Sequence, residues 1–425
     1  MWFRGGPLLH LHRNPIHIFL IAVCLLAGVH ATQASQPDAI NISNNIRLFH
    51  MPYGTMLDPV FASPDPSSPD FSTIVGYTRA GDSAIWTGHY LAAEAFRYKV
   101  TGSPEALANA WAALYGIRSL VDITGNGVLA RCLIPADSPY GDAIQREEGG
   151  HGIYYNSLGG VSYFWIGNTS RDQYSGVMFG MMTAFDLIDD AGMRGFIRND
   201  VTRLLGNLIG HGWNVVMPDG QISTTFIIRP DQQLSFLQIG RRINPLAFDW
   251  TYRLYRSVYA SSVSGPIRFD NLDDDNHYFK FNINYINLYN LIRLEEVTSP
   301  YRQTYMRAYD DLRLTTEAHG NAHFNMLDRV IKGGNTGHDL ETVELLDSWL
   351  NRTRRDYWID LRDRYPACGD DRACIPTAIE DRINTDFLWQ RSPFLLFGGG
   401  AGLSETAGID YILPYWMSRF YGLPQ

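Results

Sequence analysis

From Asp82 onward, apolar and polar positions alternate with helical rather than strand periodicity, and the pattern breaks at regular polar loops. "DSAIWTGHYLAAEAFRYKVT" predicts one helix. "SPEALANAWAALYGIRSLVDIT" predicts the next, with Ser103 as N-cap, Pro104 at the first helical position and Glu105 in the first turn. Together they read as a helical hairpin. The form recurs as "DQYSGVMFGMMTAFDLIDD" with "MRGFIRNDVTRLLGNLIGHGW", and "QLSFLQIGRRI" with "LAFDWTYRLYRSVYASS". It continues as "YFKFNINYINLYNLIRLEE" with "SPYRQTYMRAYDDLRLTTEA", and "NAHFNMLDRVI" with "DLETVELLDSWLNRTR". A last apolar block, "GIDYILPYWMSRFYG", predicts a sixth pair completed by weaker preceding segments.

Within several pairs the first helix is more apolar and richer in small residues, whereas the second carries more charge. That asymmetry predicts an inner and an outer layer, because a lone hairpin cannot bury both faces and must stack on its neighbours. The fold class expected is all-α, an (α/α)6-type toroid with a few short strands in loops. A strand pair is expected around Asp219-Gly220 in "NVVMPDGQISTTFII". The stretch from about Asn126 to Thr169 exceeds an ordinary connector and reads as a functional loop.

Composition narrows the partners. Lys+Arg 35 against Asp+Glu 44 gives a net charge of −9 with no basic block, which removes the electrostatic attraction that nucleic acid or an anionic membrane requires. Aromatic residues reach 13%, rings that suit helix cores and sugar-stacking clefts alike. Residues 1–34 read as a signal peptide, with Arg4 and Arg13 before the apolar run "FLIAVCLLAGV" and small residues near Ala31 and Ala34. The run is too short to span a bilayer, so an extracytoplasmic protein without stable membrane insertion is expected. Residues 35–74 read as an extended leader and 75–425 as a single domain. In an oxidising compartment "CGDDRAC" can close a Cys368–Cys374 loop, leaving Cys132 as a buried free thiol.

A chain of helical hairpins opening with "DSAIWTGHYLAAEAFRYKVTGSPEALANA" resembles the (α/α)-toroid carbohydrate enzymes of the six-hairpin glycosidase type. The resemblance implies a carbohydrate partner, bound in a funnel at one end of the inner helices, with acids from helix ends and adjoining loops doing the chemistry. It implies a substrate class and not a reaction.

"SRDQYSG" puts Arg171, Asp172, Gln173 and Tyr174 at the mouth of an inner helix. A helix cap accounts for the one carboxylate. A sugar site needs all four: Asp172 as base, nucleophile or anchor, the others as donors and a ring face. "AGDSAIWTGHY" repeats the arrangement, with Asp82 as cap or acid and Trp86 and His89 one and two turns in. "QREEGGHGIYYN" offers Glu147, Glu148 and His151 among glycines that let backbone approach a ligand. "DNLDDDNHYFKFN" is an acidic loop without the EF-hand pattern, in which Asp275 is the candidate to face the funnel. "EAHGNAHFN" gathers His319, Asn321 and His323 without the Glu of an HExxH metal site. "TDFLWQRSPF" adds Asp386, Trp389, Gln390 and Arg391, and the Gly398–Gly400 run reads as a tight turn rather than a phosphate loop.

No metal or cofactor is expected. The leading expectation is a glycoside hydrolase using paired carboxylates, Asp82 and Asp172, with Glu148 as a substitute. A polysaccharide lyase or uronate epimerase built on Arg171, Tyr174, His319 and His323 is the alternative, and a noncatalytic carbohydrate-binding protein the third reading.

Overall fold

Helical periodicity and caps decide where the helices fall. In the computed structural model, which describes residues 33–64, 73–272, 277–369 and 371–423, the chain is mainly helical, with 58% of residues in helices and 13% in strands. The helices are α1 (Gln36–Asn45), α2 (Ser83–Thr101), α3 (Pro104–Asp122), α4 (Gly141–Glu148), α5 (Arg171–Leu187), α6 (Ala191–Gly210) and α7 (Pro230–Ile243). They continue as α8 (Pro245–Tyr259), α9 (Ser264–Asp270), α10 (Phe279–Arg293), α11 (Pro300–Thr316), α12 (Ala322–Lys332), α13 (Thr336–Trp349) and α14 (Ile409–Phe420). Gly102 ends α2 in the left-handed conformation, and the Ser103 hydroxyl accepts the Ala106 N–H to start α3. Asp190, Asn321 and Asn335 cap α6, α12 and α13 in the same way. Among the described residues no helix is long and apolar enough to cross a membrane.

Burial divides the helices as the charge asymmetry predicts. Helices α2, α5, α7, α10, α12 and α14 are buried over most of their length, whereas α3, α6, α8, α11 and α13 bury one face. The buried helices pack in sequence, α2 on α5, α5 on α7, α7 on α10, α10 on α12, α12 on α14 and α14 on α2. Outside them, α3 packs on α2, α6 on α5, α8 on α7, α11 on α10 and α13 on α12.

The partner of α14 comes from the other end of the sequence. Residues 35–74, expected to be an extended leader, instead open with α1, continue into a π-helical turn at Ile46–His50 and reach the sheet. Ser35 and Asp38 form a capping box. Ala39, Ile42 and Ile46 lie on one helical face and are buried, and α1 packs on α14. Residues 32–425 form one compact unit. The proposed signal segment, through residue 32, lies outside the described residues.

The strands are β1 (Asp58–Phe61), β2 (Ile74–Thr78), β3 (Cys132–Pro135), β4 (Ile153–Leu158), β5 (Val161–Ile166), β6 (Asn214–Val216), β7 (Ile222–Thr225), β8 (Arg355–Asp360) and β9 (Phe397–Glu405). They form antiparallel sheets ordered β2-β1-β9-β8, β3-β5-β4 and β6-β7. The β6–β7 hairpin turns at Gly220, as its sequence predicts. Gly398–Gly400, read as a turn, belong to β9, where a Cβ at Gly399 would lie 2.2 Å from the Tyr357 carbonyl oxygen. Cys368 and Cys374 are bridged, and Cys132 is buried and free.

One seam positions the starts of two buried helices side by side. A Cβ on Gly88 of α2 would lie 2.1 Å from the Gly176 carbonyl oxygen, and one on Gly180 would lie 2.2 Å from that of Gly88. Backbone therefore meets backbone between α2 and α5. The contacts Asp82 to Gln173, Ile85 to Gly176 and Gly88 to Gly180 advance together, so the two helices run parallel and begin side by side. Their N-termini focus positive potential on one place.

Candidate active site at the paired helix starts

At that place stand two aspartates. Asp172, in the first turn of α5, accepts from the Ser170 hydroxyl and, at 3.1 Å, from the Gln173 N–H. Asp82, just before α2, accepts from Gln173 Nε2 at 3.1 Å, while Gln173 Oε1 accepts the Ile85 N–H at 2.9 Å. Gln173 thus clamps the starts of both helices. Neither Ser170 nor Asp82 caps its helix with its own side chain, so the expected capping role of Asp82 does not hold.

Arg131 ties the pair together from β3's leading edge. Its Nη2 donates to Ser170 Oγ at 2.8 Å, its Nη1 to Gly81 O at 2.7 Å and its Nε to Asn168 O at 3.1 Å. Arg79, held in the left-handed conformation at φ 63°, pairs with Asp386 and lies 3.4 Å from Asp58. Arg391 also pairs with Asp386. Burial opposes the charged form of Asp386, yet Arg79 and Arg391 outweigh it and hold the carboxyl below its usual range.

The environment treats Asp82 differently. Burial first and the Asp172 carboxylate second push it up to about 6, against the opposing pull of Arg131 and Arg79. A carboxyl so raised can deliver a proton near neutral pH. Beside it, Glu148 accepts the Gly81 N–H and His151 Nδ1, each at 2.7 Å. Burial works against the Glu148 carboxylate, but those donors hold it below its ordinary value.

Asp172 lines a cavity of about 740 Å³. Ser170, Arg131, Arg171 and Arg229 share that wall, and Ile228, Phe269 and Phe279 supply apolar surface. Asp82 is not part of the cavity lining and connects to it through Gln173 and Asp172.

The structure brings Asp82, Asp172, Arg171, Gln173, Glu148, His151 and, through Asp386, Arg391 to this end of the α2–α5 seam, and places the other expected site residues elsewhere. Tyr174 is fully buried, its hydroxyl accepting the Leu129 N–H at 3.1 Å, and Gln173 beside it is fully buried too, its amide engaged by Asp82 and Ile85 and not by the cavity. Trp86, His89, His323 and Trp389 pack together in the interior, with His323 and Trp389 ring centres 4.9 Å apart and those of His89 and Trp389 5.4 Å apart. They form core rather than a sugar platform. His319 is also buried, 3.2 Å from the Tyr278 hydroxyl and edge-on to Phe394. Gln390 braces its own loop by accepting the Phe387 N–H at 3.1 Å. Asp275 lies outside the described residues. Its neighbour Asp270 is buried against Arg229 at 2.7 Å. Among the described residues no cluster of His, Cys, Asp and Glu could hold a metal ion.

Arg131 and Arg229 escape the periodicity reading. Each is a single cation inside an apolar run, "VLARCLIP" and "TFIIRPD", and that isolation is the signal a reader can use. Set against family models, curated proteins and solved structures, the chain matches none.

Proposed function

We propose that the chain is an extracytoplasmic glycoside hydrolase on an (α/α)6-type toroid of the six-hairpin glycosidase kind. Support for the toroid is the succession of buried helices α2, α5, α7, α10, α12 and α14, in which the last packs on the first and each carries an outer helix. The Cys368–Cys374 bridge supports an oxidising compartment.

The observation that carries the reaction is the raised Asp82 carboxyl beside Asp172 at one end of a parallel helix pair. Glycosidic cleavage uses two carboxyl groups in different protonation states. Asp82 gives its proton to the leaving oxygen as the bond to the anomeric carbon breaks. Asp172 acts as the second carboxylate, supporting the positive charge that develops on the sugar or activating the water whose oxygen joins the anomeric carbon. The lyase reading has less support, because Tyr174, His319 and His323, which would take the C5 proton, are buried, whereas Asp82, although outside the cavity lining, is partly exposed beside Asp172.

The test is digestion of a panel of neutral and acidic polysaccharides, following reducing ends and ultraviolet absorbance together. New reducing ends without absorbance are expected. Absorbance rising in step with reducing ends would indicate an unsaturated uronate and replace hydrolysis with elimination.

A further inference from the structure

Charge in the cavity is not balanced. Its wall carries four basic residues, Arg131, Arg171, Arg229 and Lys280, against two acidic ones, Asp172 and Asp270. Arg229 is answered by Asp231 and Asp270 at 2.7 Å each and by Asn284 at 2.7 Å, and Lys280 lies 3.9 Å from Asp270. Arg131 and Arg171 are held otherwise. Arg131 donates to Gly81 O, Asn168 O and Ser170 Oγ, and Arg171 to Thr225 O at 3.1 Å and Thr224 Oγ1 at 3.4 Å. All five acceptors are uncharged. Among the described residues neither guanidinium has a carboxylate within salt-bridge distance, although Arg131 is only 7% exposed.

A buried cation without an anionic partner is costly, so such a group is retained where a ligand completes it. Burial and then the neighbouring Arg229 push the Arg171 guanidinium toward its neutral form, outweighing the pull of Asp172, Asp231 and Asp270, a cost an anion beside it would relieve. The same cavity is also lined by Ile228, Phe269, Phe279 and Ile283, which give it apolar surface. A pyranose ring with one anionic substituent offers both complements, apolar C–H surface and one localised negative charge.

Resting on the glycosidase reading, we infer that the substrate is an acidic glycan whose anionic substituent sits against Arg171, in the cavity that Asp172 lines. The planar fork of Arg171 matches a uronate carboxylate in two-pronged geometry, and a sulfate ester offers the same oxyanion chemistry without the planarity. Arg131, already engaged by three oxygens, contributes long-range attraction and keeps Ser170 and Asp172 in place.

The experiment is calorimetric titration of the full chain, in an Asp82→Asn background that slows turnover, with matched oligosaccharides carrying uronates, carboxyl-reduced sugars or sulfate esters. The uronate member of a pair is expected to bind roughly ten- to a hundredfold tighter than its reduced counterpart, the range for a charge-assisted contact. That preference should weaken with added salt and shrink to within about threefold in Arg171→Met. Reduced sugars binding as tightly as uronates would overturn the anionic subsite and leave the glycosidase reading standing. A preference that survives Arg171→Met would remove Arg171 from the subsite, and a stronger preference for sulfate esters would overturn the carboxylate assignment. Failure of every glycan to bind would overturn the functional reading itself.

Discussion

Two regions of the α2–α5 seam titrate in the same pH range with opposite consequences. At the helix starts, Asp82 is raised to about 6 in the folded chain against an unfolded value near 3.8, so the folded state binds the proton more tightly and stability is lost as pH rises from about 4 to about 6. Two turns further in, burial lowers His89 to about 4 against an ordinary value of 6.5. There the unfolded state binds the proton more tightly, and stability is lost as pH falls from 6.5 to about 4. The two contributions therefore have opposite signs over the same range of pH. The imidazole keeps a neutral tautomer by donating Nδ1–H to Ile85 O and accepting from Asn282. The lesson is positional: at the helix mouth the shifted group has a second carboxylate beside it, whereas two turns inside it is held by fixed hydrogen bonds to Ile85 O and Asn282.

The largest effect should follow from Asp82→Asn. Turnover is expected to fall by about a hundredfold or more, the scale for losing a general acid. Stability at pH 8 should rise by about 1–3 kcal/mol, since a neutral amide removes an unfavourable buried charge and its oxygen still accepts from Gln173. Melts at pH 4 and pH 8 check the sign: the gain should vanish at pH 4, where the native side chain is already protonated. An Asp82→Asn variant that is active, or less stable at pH 8, would break the contrast between the two regions.

Gly88→Ala should come next, lowering stability by about 1–3 kcal/mol, because the added methyl would enter the Gly176 carbonyl and part the helices on which both regions depend. Unchanged melting would mean that the seam has slack. His323→Leu tests the interior alone. Neither nitrogen of this buried ring has a hydrogen-bond partner among the described residues, and burial with the nearby His89 holds it well below its usual range. Leucine should therefore stabilise the chain by up to about 2 kcal/mol at pH 5, with a smaller gain at pH 8. A lower melting point at pH 5 than the native chain would show that the imidazole is stabilising there.

Much of this was legible in the sequence, and the gaps have physical causes. Helical spacing with caps at Ser103 and Asn321 located the helices, since both signals are local. The pairing of α14 with α1 was not legible, because it joins opposite ends of the chain and only a short apolar face on α1 announces it. Asp82 and Asp172 stood out as carboxylates at helix starts. That Gln173 and Arg131 join them required knowing that Gly88, Gly176 and Gly180 let two distant helices touch in register. Trp86 and His89 misled for a related reason: on a helix buried on every side, periodicity does not say which polar face meets a cavity.

The smallest expected effect, from Ser170→Ala, sharpens the comparison at the mouth itself. The Ser170 hydroxyl donates to Asp172 and accepts from Arg131 Nη2 at 2.8 Å, yet it makes no capping bond to the helix it precedes. Losing it removes no cap from α5 but leaves Arg131 Nη2 short of one partner, so stability should fall by about 1 kcal/mol. Asp172 would keep the Gln173 N–H but lose the donor that fixes its orientation toward the cavity. One such hydrogen bond is worth about 1 kcal/mol, so kcat should fall about fivefold with KM little changed, as expected for a positioning residue. A lower melting point with native kcat would assign Ser170 to stability alone, and would leave Arg131 without a means of reaching Asp172.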